Sequence, residues 1–590
     1  MVELYRKAGK RIEERCATLY RVLDVFAGAG GMSLGFVQTG SFEIGVAVEK
    51  NESAQATYLQ NHGQTTMLSD ILDITDYDLF QREHGNFDVI VGGPPCQGFS
   101  NANRQKNHIV SQNNSLVKKY VEVILNLRPK AFVMENVRML RSDTHRFYCS
   151  LDDGFEFDRL GITKRDETIC LLNTECPVAD ITDYVFNREV IEEIMLPDKH
   201  FYALRIFLKN TRDLTKREMT IREKGKQCIK IIAQMPARSL RVSKQFVALE
   251  QAALNAFIQL AGEETAFEQA EPLMTAYINI HRLLMHAKEL LDNNIILEMG
   301  SLRSEPRGVF VDAKSYSVID YISKRLGESY HICDDVLNAA WFGAPQLRER
   351  YIAVGLRSDL DIQSELPAAE FSADNYRTVY DAIKDLETVE PSYSIEDLEV
   401  PLSNDYQRTE LTDELRNSGI LRNHIATDTR EVAKKRFEAL GQGQNFHDLD
   451  RTLIEDTYTN PERTQNSIYL RLEYNKPSGT VTNVRKSMWI HPVLHRAISI
   501  REAARLQTFP DSFVFVGTKD SQYQQVGNAV PPIMAKAIAC KLAQLLDAAN
   551  QQHGGVMNGG FLDNRAAAED DVQNTIQKHC SRNDCQEVLA

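Results

Sequence analysis

Residues 21–34 read RVLDVFAGAGGMSL, and the reading of this stretch decides the fold. RVLDVF (21–26) is an apolar run with the look of a buried strand. It stops at glycines 28, 30 and 31, after which GMSLGF resumes as the start of a helix. Glycines between a strand and a helix let the backbone approach a ligand closely and leave the first helical N–H groups free for an anion. Glu49 closes a second strand, EIGVAVEK (43–50), where a carboxylate can take both hydroxyls of a ribose. The glycine spacing departs from GxGxxG, which argues against a nicotinamide site. Asp70 ends a third strand in TMLSDI, placed either to read an adenine amino group or to cap a turn.

Outward from this stretch the pattern repeats. FDVIVGG and KAFVMENV (130–137) read as a fourth and a fifth strand, with helical NESAQATYLQNH and SLVKKYVEVILNL between strands. Strands alternating with helices at this spacing predict a doubly wound, mostly parallel α/β sheet, whose ligands bind at the carboxyl ends of the strands. The pattern breaks over residues 142–306, where long helical stretches predict an inserted, mainly helical domain. It resumes over 307–357 with a helix and two strands. Residues 358–495 are irregular and polar, suiting a recognition module, and 496–549 return to the core. Residues 1–18 read as an N-terminal helical arm and 550–590 as a disordered tail.

A chain of 590 residues with 43% hydrophobic content fills two or three cores. No run approaches the roughly 18 apolar residues of a membrane span and the N-terminus carries no secretory signal, so a soluble cytoplasmic protein is expected. Ten cysteines without CxxC or zinc-like spacing suggest neither disulfides nor a metal site. A net charge of -14 argues against indiscriminate nucleic-acid binding. Against that background, residues 205–244 hold twelve Lys/Arg and three acids, Asp213, Glu218 and Glu223, a run that fits either a solvated helical face or a phosphate-contacting one.

The fourth strand ends at Gly92-Gly93-Pro94-Pro95 and presents Cys96, followed by the small and polar QGFSNANRQKNHIVSQNNS. With DVFAGAGGMSLGF, GGPPCQGFS, MENV, FGAPQLRERYIAVG, REAARLQTFPDSF and QVGNAVPP in this order, the chain resembles the C5-cytosine DNA methyltransferase family over about half its length. The resemblance implies a Rossmann-like class I methyltransferase core that binds S-adenosyl-L-methionine, with a separate target-recognition domain at 358–495. It also implies double-stranded DNA as substrate. Cys96 matches the nucleophile that adds to carbon 6 of cytosine, and Glu135 the carboxyl that bonds the ring at N3 and its exocyclic amine. Arg348 and Arg350 match a pair that alternates along a strand and meets the base's O2 and the catalytic loop.

For the cofactor the resemblance implies Phe26 stacked on adenine, Gly28 and Gly30 at close approach, and Glu49 on the ribose. Asp70 with Ile71 would line the adenine edge, and Pro95 and Asn528 the methionine end. Lys50 departs from the family, several members of which carry an aromatic there. The loop after Cys96 is expected to close over a base taken out of the stack. Arg463, Arg471, Arg485 and Lys486 are candidates for contacts to base edges or phosphates, although each taken singly reads first as a solvated surface residue. A restriction-modification or related defence role follows, with a cognate nuclease or defence protein as partner and monomeric action. The alternatives are a transfer-RNA cytosine methyltransferase and a non-catalytic DNA-binding regulator; the long recognition region argues against the first, and retention of Cys96, Glu135 and both arginines against the second.

Overall fold

The computed structural model describes residues 19–95, 113–142, 146–154, 156–235, 243–263, 265–395, 399–454 and 461–557. The arm at 1–18, Cys96 with the loop through 112, and the tail beyond 557 lie outside the described residues. The described chain forms two compact units. One is built from residues of Met1–Pro94, Lys119–Asn136 and Ser329–Ala590, the other from residues of Pro95–Lys118 and Val137–Glu328.

The first unit carries the α/β sheet. Its strands are β1 (Tyr20–Val25), β2 (Phe42–Val48), β3 (Thr66–Leu68), β4 (Val89–Gly92), β5 (Ala131–Val137), β6 (Tyr330–Asn338) and β7 (Glu349–Arg357). They lie in the order β3-β2-β1-β4-β5-β7-β6. β1 pairs in parallel with β2 and β4, β2 with β3, and β4 with β5. The unbroken apolar runs are explained by this, because a central parallel strand is covered on both faces. Val22, Leu23, Val25 and Val89 through Val91 are wholly buried. Arg357 N–H donates to Lys130 O at one end of β7, while Arg350 meets Glu135 toward the other, so β7 runs antiparallel to β5. β6 is antiparallel to β7 and closes the edge.

Helix α1 (Gly31–Val37) follows β1, α2 (Glu52–Asn61) follows β2, α3 (Tyr77–His84) precedes β4, and α4 (Asn113–Leu127) precedes β5. Further along come α5 (Ile500–Leu506), α6 (Lys519–Asn528) and α7 (Pro532–Met557). Met534, Ile538, Leu542 and Leu546 of α7 pack with Phe36 of α1 on Val22, Val89 and Val133 of the sheet. By length and composition the stretch Lys519–Gln552 could cross a membrane, yet 61% of its most apolar window is buried in this core. The strand order turns at β1 and β4, and the crevice beyond their carboxyl ends is the place where such sheets bind ligands.

A second core of this unit joins Ile425, Leu472, Val481 and Trp489 with Ile500, Phe509 and Phe513. A division at residue 495 therefore parts side chains that pack together. A smaller cluster of Phe437, Leu440, Phe446, Tyr469, Ile490 and Ala497 stands apart within the irregular region.

The second unit contains more strand than the expected helical insertion. Lys164–Leu172 and Gly308–Ser317 form a long antiparallel pair, extended by Arg146–Tyr148 and Arg303–Glu305. The first of these strands escaped the sequence reading because its outward positions are charged, KRDE, and only Ile169, Leu171 and Leu172 enter the core. Helices Arg188–Ile194, Asp198–Arg212, Arg217–Ala233, Lys244–Ala261 and Phe267–Asp292 share that core with Val309, Val311 and Ala313. The unit thus runs on past residue 306, through the strand Gly308–Ser317 and the helix Val318–Gly327.

Candidate active site

At the end of β1 the backbone turns through left-handed conformations, φ 63° at Phe26, 56° at Gly28 and 93° at Gly30. Glycine serves at such positions because a Cβ there is strained. The turn is tied to β2 by Glu49, whose two carboxylate oxygens accept Gly28 N–H at 2.9 Å and Asn51 N–H at 2.7 Å. Fixed in this way, the carboxylate keeps lone pairs for two further donors. The half-buried Phe26 ring and the buried Ile71 stand at the same strand ends.

Asp70 is engaged twice. One oxygen caps a short turn by accepting Leu72 N–H at 3.0 Å, and the other meets Lys50 Nζ at 2.8 Å. The Lys50 bond holds the Asp70 carboxyl below its usual range. Lys50, at 81% side-chain exposure, lies out over Asp70 with its stem unpacked. Of the two sequence readings of Asp70, the turn cap is the one its hydrogen bonds show.

Across the sheet, β4 stops at Gly93-Pro94-Pro95. Asn136 Nδ2 donates to Pro94 O at 2.9 Å and so pins this turn to the end of β5. Next to it, Glu135 accepts from Arg350 Nε at 2.9 Å, with side-chain exposures of 13% and 14%. A Cβ at Gly93 would lie 2.8 Å from Glu135 Oε2, so only glycine leaves that oxygen its place. The antiparallel register of β5 and β7 is what brings a carboxylate and a guanidinium from 215 positions apart into one ion pair.

Arg348 does something different from the sequence expectation. It precedes β7, is buried to 1%, and donates to three backbone carbonyls: Val481 O at 2.9 Å, Gly527 O at 3.1 Å and Ala529 O at 2.8 Å. Its guanidinium therefore flanks Asn528 and fixes the end of α6, while Arg350 alone of the two bonds Glu135. Asn528 is exposed and accepts from Gln524 Nε2 at 2.7 Å. Arg471 is likewise committed. It is 2% exposed and donates to the carbonyls of Phe437, Leu440, His491, Pro492 and Leu494, so its guanidinium is directed inward. Arg485 and Lys486 share Asp520.

One group at the site went unread in the sequence. Asp24 lies within the apolar β1, 1% exposed, accepting from Ser33 Oγ, which also meets Tyr58 OH at 2.7 Å. The signal was a carboxylate inside VLDVF. Burial pushes its pKa up to about 7, Ser33 opposes that, and Glu49 adds to it. The folded value thus lies above the unfolded one near 3.9, so the contribution of Asp24 to stability is fully present below about pH 4 and is lost as pH rises through 7. Asp24→Asn, which removes the titration, should gain on the wild type by about 3 kcal/mol between pH 5 and pH 8 and level off above. Urea unfolding at several pH values measures this. A difference independent of pH would mean that Asp24 is ionised throughout.

The DNA_methylase family model, described as C-5 cytosine-specific DNA methylase, matches residues 20–152 and 310–544. The chain belongs to this family. Type II methyltransferase M.DdeI of Desulfomicrobium norvegicum is 23% identical over 539 residues, spanning 88% of each chain. M1.HphI of Haemophilus parahaemolyticus is 25% identical over 520 residues, 88% of this chain and 85% of the relative. M.XorII of Xanthomonas oryzae reaches 40% over 129 residues, 21% of this chain and 30% of its own. The fold is shared with a DNA modification methyltransferase encoded within an Escherichia coli prophage, at TM-score 0.51 and 18% identity over 90% of this chain and all of that one. This methylase is accordingly an α/β enzyme of the class I methyltransferase type with DNA cytosine-5 methyltransferase activity. The stretch from 153 to 309, unmatched by the family model, falls in the second unit.

Proposed function

We propose that this methylase transfers the methyl group of S-adenosyl-L-methionine to carbon 5 of a cytosine turned out of duplex DNA, through a covalent bond from Cys96 to carbon 6. The observation that carries the reading is the Glu135–Arg350 pair beside the Gly93-Pro94 turn. Arg350 holds one carboxyl oxygen and leaves the other beside the segment that leads to Cys96. A cytosine base needs such a partner, because addition of a thiolate to carbon 6 puts negative charge on N3, and the exocyclic amine beside it offers the carboxyl a hydrogen bond.

The chain's own residues then divide the work. Cys96 supplies the thiolate, whose bond to carbon 6 makes carbon 5 nucleophilic. Glu135 binds the N3 edge and the amine, and Arg350 orients that carboxyl and reaches toward O2. S-adenosyl-L-methionine, when bound, supplies an electrophilic methyl group. The pinned carboxylate of Glu49, the Phe26 ring, Ile71 and the open space beside Gly28 fit its nucleoside half, with Asp70 at the adenine edge. Gly30 lies deeper in the same turn, and the family resemblance assigns Pro95 and Asn528 to the methionine end. Arg348 holds Asn528 there through the backbone. Loss of the carbon-5 proton to a base or water and departure of Cys96 release 5-methylcytosine. Carbons 5 and 6 are closed off inside a duplex, which requires the base to leave the stack.

The type II relatives support a place in a restriction-modification system beside a cognate endonuclease. The test is incubation with tritiated S-adenosyl-L-methionine and either unmethylated genomic DNA or transfer RNA. Label is expected in 5-methylcytosine from DNA. Label in transfer RNA alone, or at another base, overturns the reading.

A further inference from the structure

The basic run read in the sequence at 205–244 resolves into two kinds of cation. Arg212, Lys216 and Arg217 are paired with Glu271, Asp213 and Glu268. On the helix Arg217–Ala233, by contrast, Arg222, Lys224, Lys226 and Lys230 are exposed, and among the described residues none of the four has a carboxylate partner. Three of them, Arg222, Lys226 and Lys230, recur every fourth residue and so form one ridge. The buried residues of the helix, Thr220, Gly225, Cys228, Ile231 and Ile232, fall on the opposite side at 3.6 residues per turn.

The orientation of that ridge is fixed by packing. A Cβ at Gly225 would lie 2.8 Å from Ala261 O, so the helix sits against Lys244–Ala261 in direct backbone contact, and Cys228 and Ile232 lock into the shared core. The three cations therefore point outward as a set, with steps of about 6 Å along the axis. In a chain of net charge -14, a rigid line of unpaired cations is a local reversal of sign. Unpaired, they retain their counterions, and the release of those counterions is what a polyanion gains on binding.

We propose that the Arg222–Lys226–Lys230 ridge binds the phosphate backbone of the DNA, outside the target cytosine and without regard to sequence. This rests on the reading of the chain as a DNA methylase and assigns a task to a unit that the family model does not match. Lysine and arginine in a row contact phosphates and position the protein; they carry no base readout.

The test uses the full-length protein with Arg222→Gln, Lys226→Gln and Lys230→Gln combined, since glutamine keeps helix propensity. A control of equal charge change neutralises Lys164, Lys314 and Lys324 to Gln, which are paired with Asp158, Asp166 and Asp320. Affinity for a 40-base-pair duplex of arbitrary sequence is measured from 50 to 250 mM KCl. The slope of log affinity against log salt should fall by about 2 to 3 in the ridge variant, at 0.9 per phosphate. Affinity near 150 mM should drop about tenfold or more, and the control should change little. An unchanged slope, or an equal change in ridge variant and control, overturns the contact. Methyl transfer by the wild type to genomic DNA is read in parallel. Its presence with an unchanged slope removes the ridge proposal alone, whereas its absence removes the reading on which the ridge depends.

Discussion

Cys96→Ala should leave no measurable methyl transfer, and Glu135→Gln should slow it by about 10²- to 10³-fold, the range for loss of one proton-handling or charge-stabilising group. The two variants separate bond formation from charge handling. Without a thiolate, carbon 5 of cytosine is too poor a nucleophile. Glutamine at 135 is nearly isosteric, so the nearby packing should survive, yet its amide has one acceptor where the carboxylate has two. Arg350 Nε already claims an acceptor at 2.9 Å. The glutamine oxygen must therefore face Arg350, which turns an NH₂ group toward the oxygen position beside Gly93. That group cannot accept from the exocyclic amine or deliver a proton to N3. Single-turnover transfer with saturating DNA is the measurement, with circular dichroism as a check that both proteins fold. Activity of Glu135→Gln within threefold of wild type would place the proton chemistry elsewhere. Persistent transfer by Cys96→Ala would remove the covalent route.

What the sequence could and could not reveal follows the range of the interactions. The strand–glycine–helix turn at 21–34 and the cap made by Asp70 are local and were legible, whereas the bonds from Gly28 and Asn51 that pin Glu49 appear only in the structure. Arg348 was not legible. Its residue type and spacing suggested a partner for the base, but its donors end on carbonyls of Val481, Gly527 and Ala529, which only the tertiary fold brings near. Arg471 was hidden in the same way, since a buried arginine on five backbone carbonyls reads in sequence like an exposed one. Asp24 carried a usable signal, a charge in an apolar strand, whereas the strand Lys164–Leu172 carried a contrary one, because its solvent side is charged. The insertion of β7 between β5 and β6 left no trace in the pattern, as strand order is set by pairing rather than by sequence spacing.

Arg505→Ala should destabilise the first unit by about 3 to 5 kcal/mol, the cost of leaving buried charges without their partner. In REAARLQTFPDSF all four charges are interior, with Arg501, Glu502, Arg505 and Asp511 wholly buried. Arg505 forks onto Asp511 at 2.8 and 2.6 Å and reaches Asp385 at 2.5 Å. Asp385 in turn accepts from Arg416 at 2.7 Å, and Arg501 donates to the carbonyls of Arg422, Pro510 and Phe513. Burial alone would lower the Arg505 guanidinium, but Asp511 and Asp385 outweigh it and hold its pKa above the ordinary value. Among the described residues, removing the arginine leaves the Asp511 carboxylate with Arg501, 3.9 Å away, as its one ion-pair partner. The comparison is Arg159→Ala, which breaks a pair with Glu328 at 54% and 50% exposure and should cost less than 1 kcal/mol. Urea unfolding followed by a probe in each unit distinguishes the two. A loss below 1 kcal/mol for Arg505→Ala would mean that water enters and solvates both aspartates, and the network would then orient α5 without stabilising it.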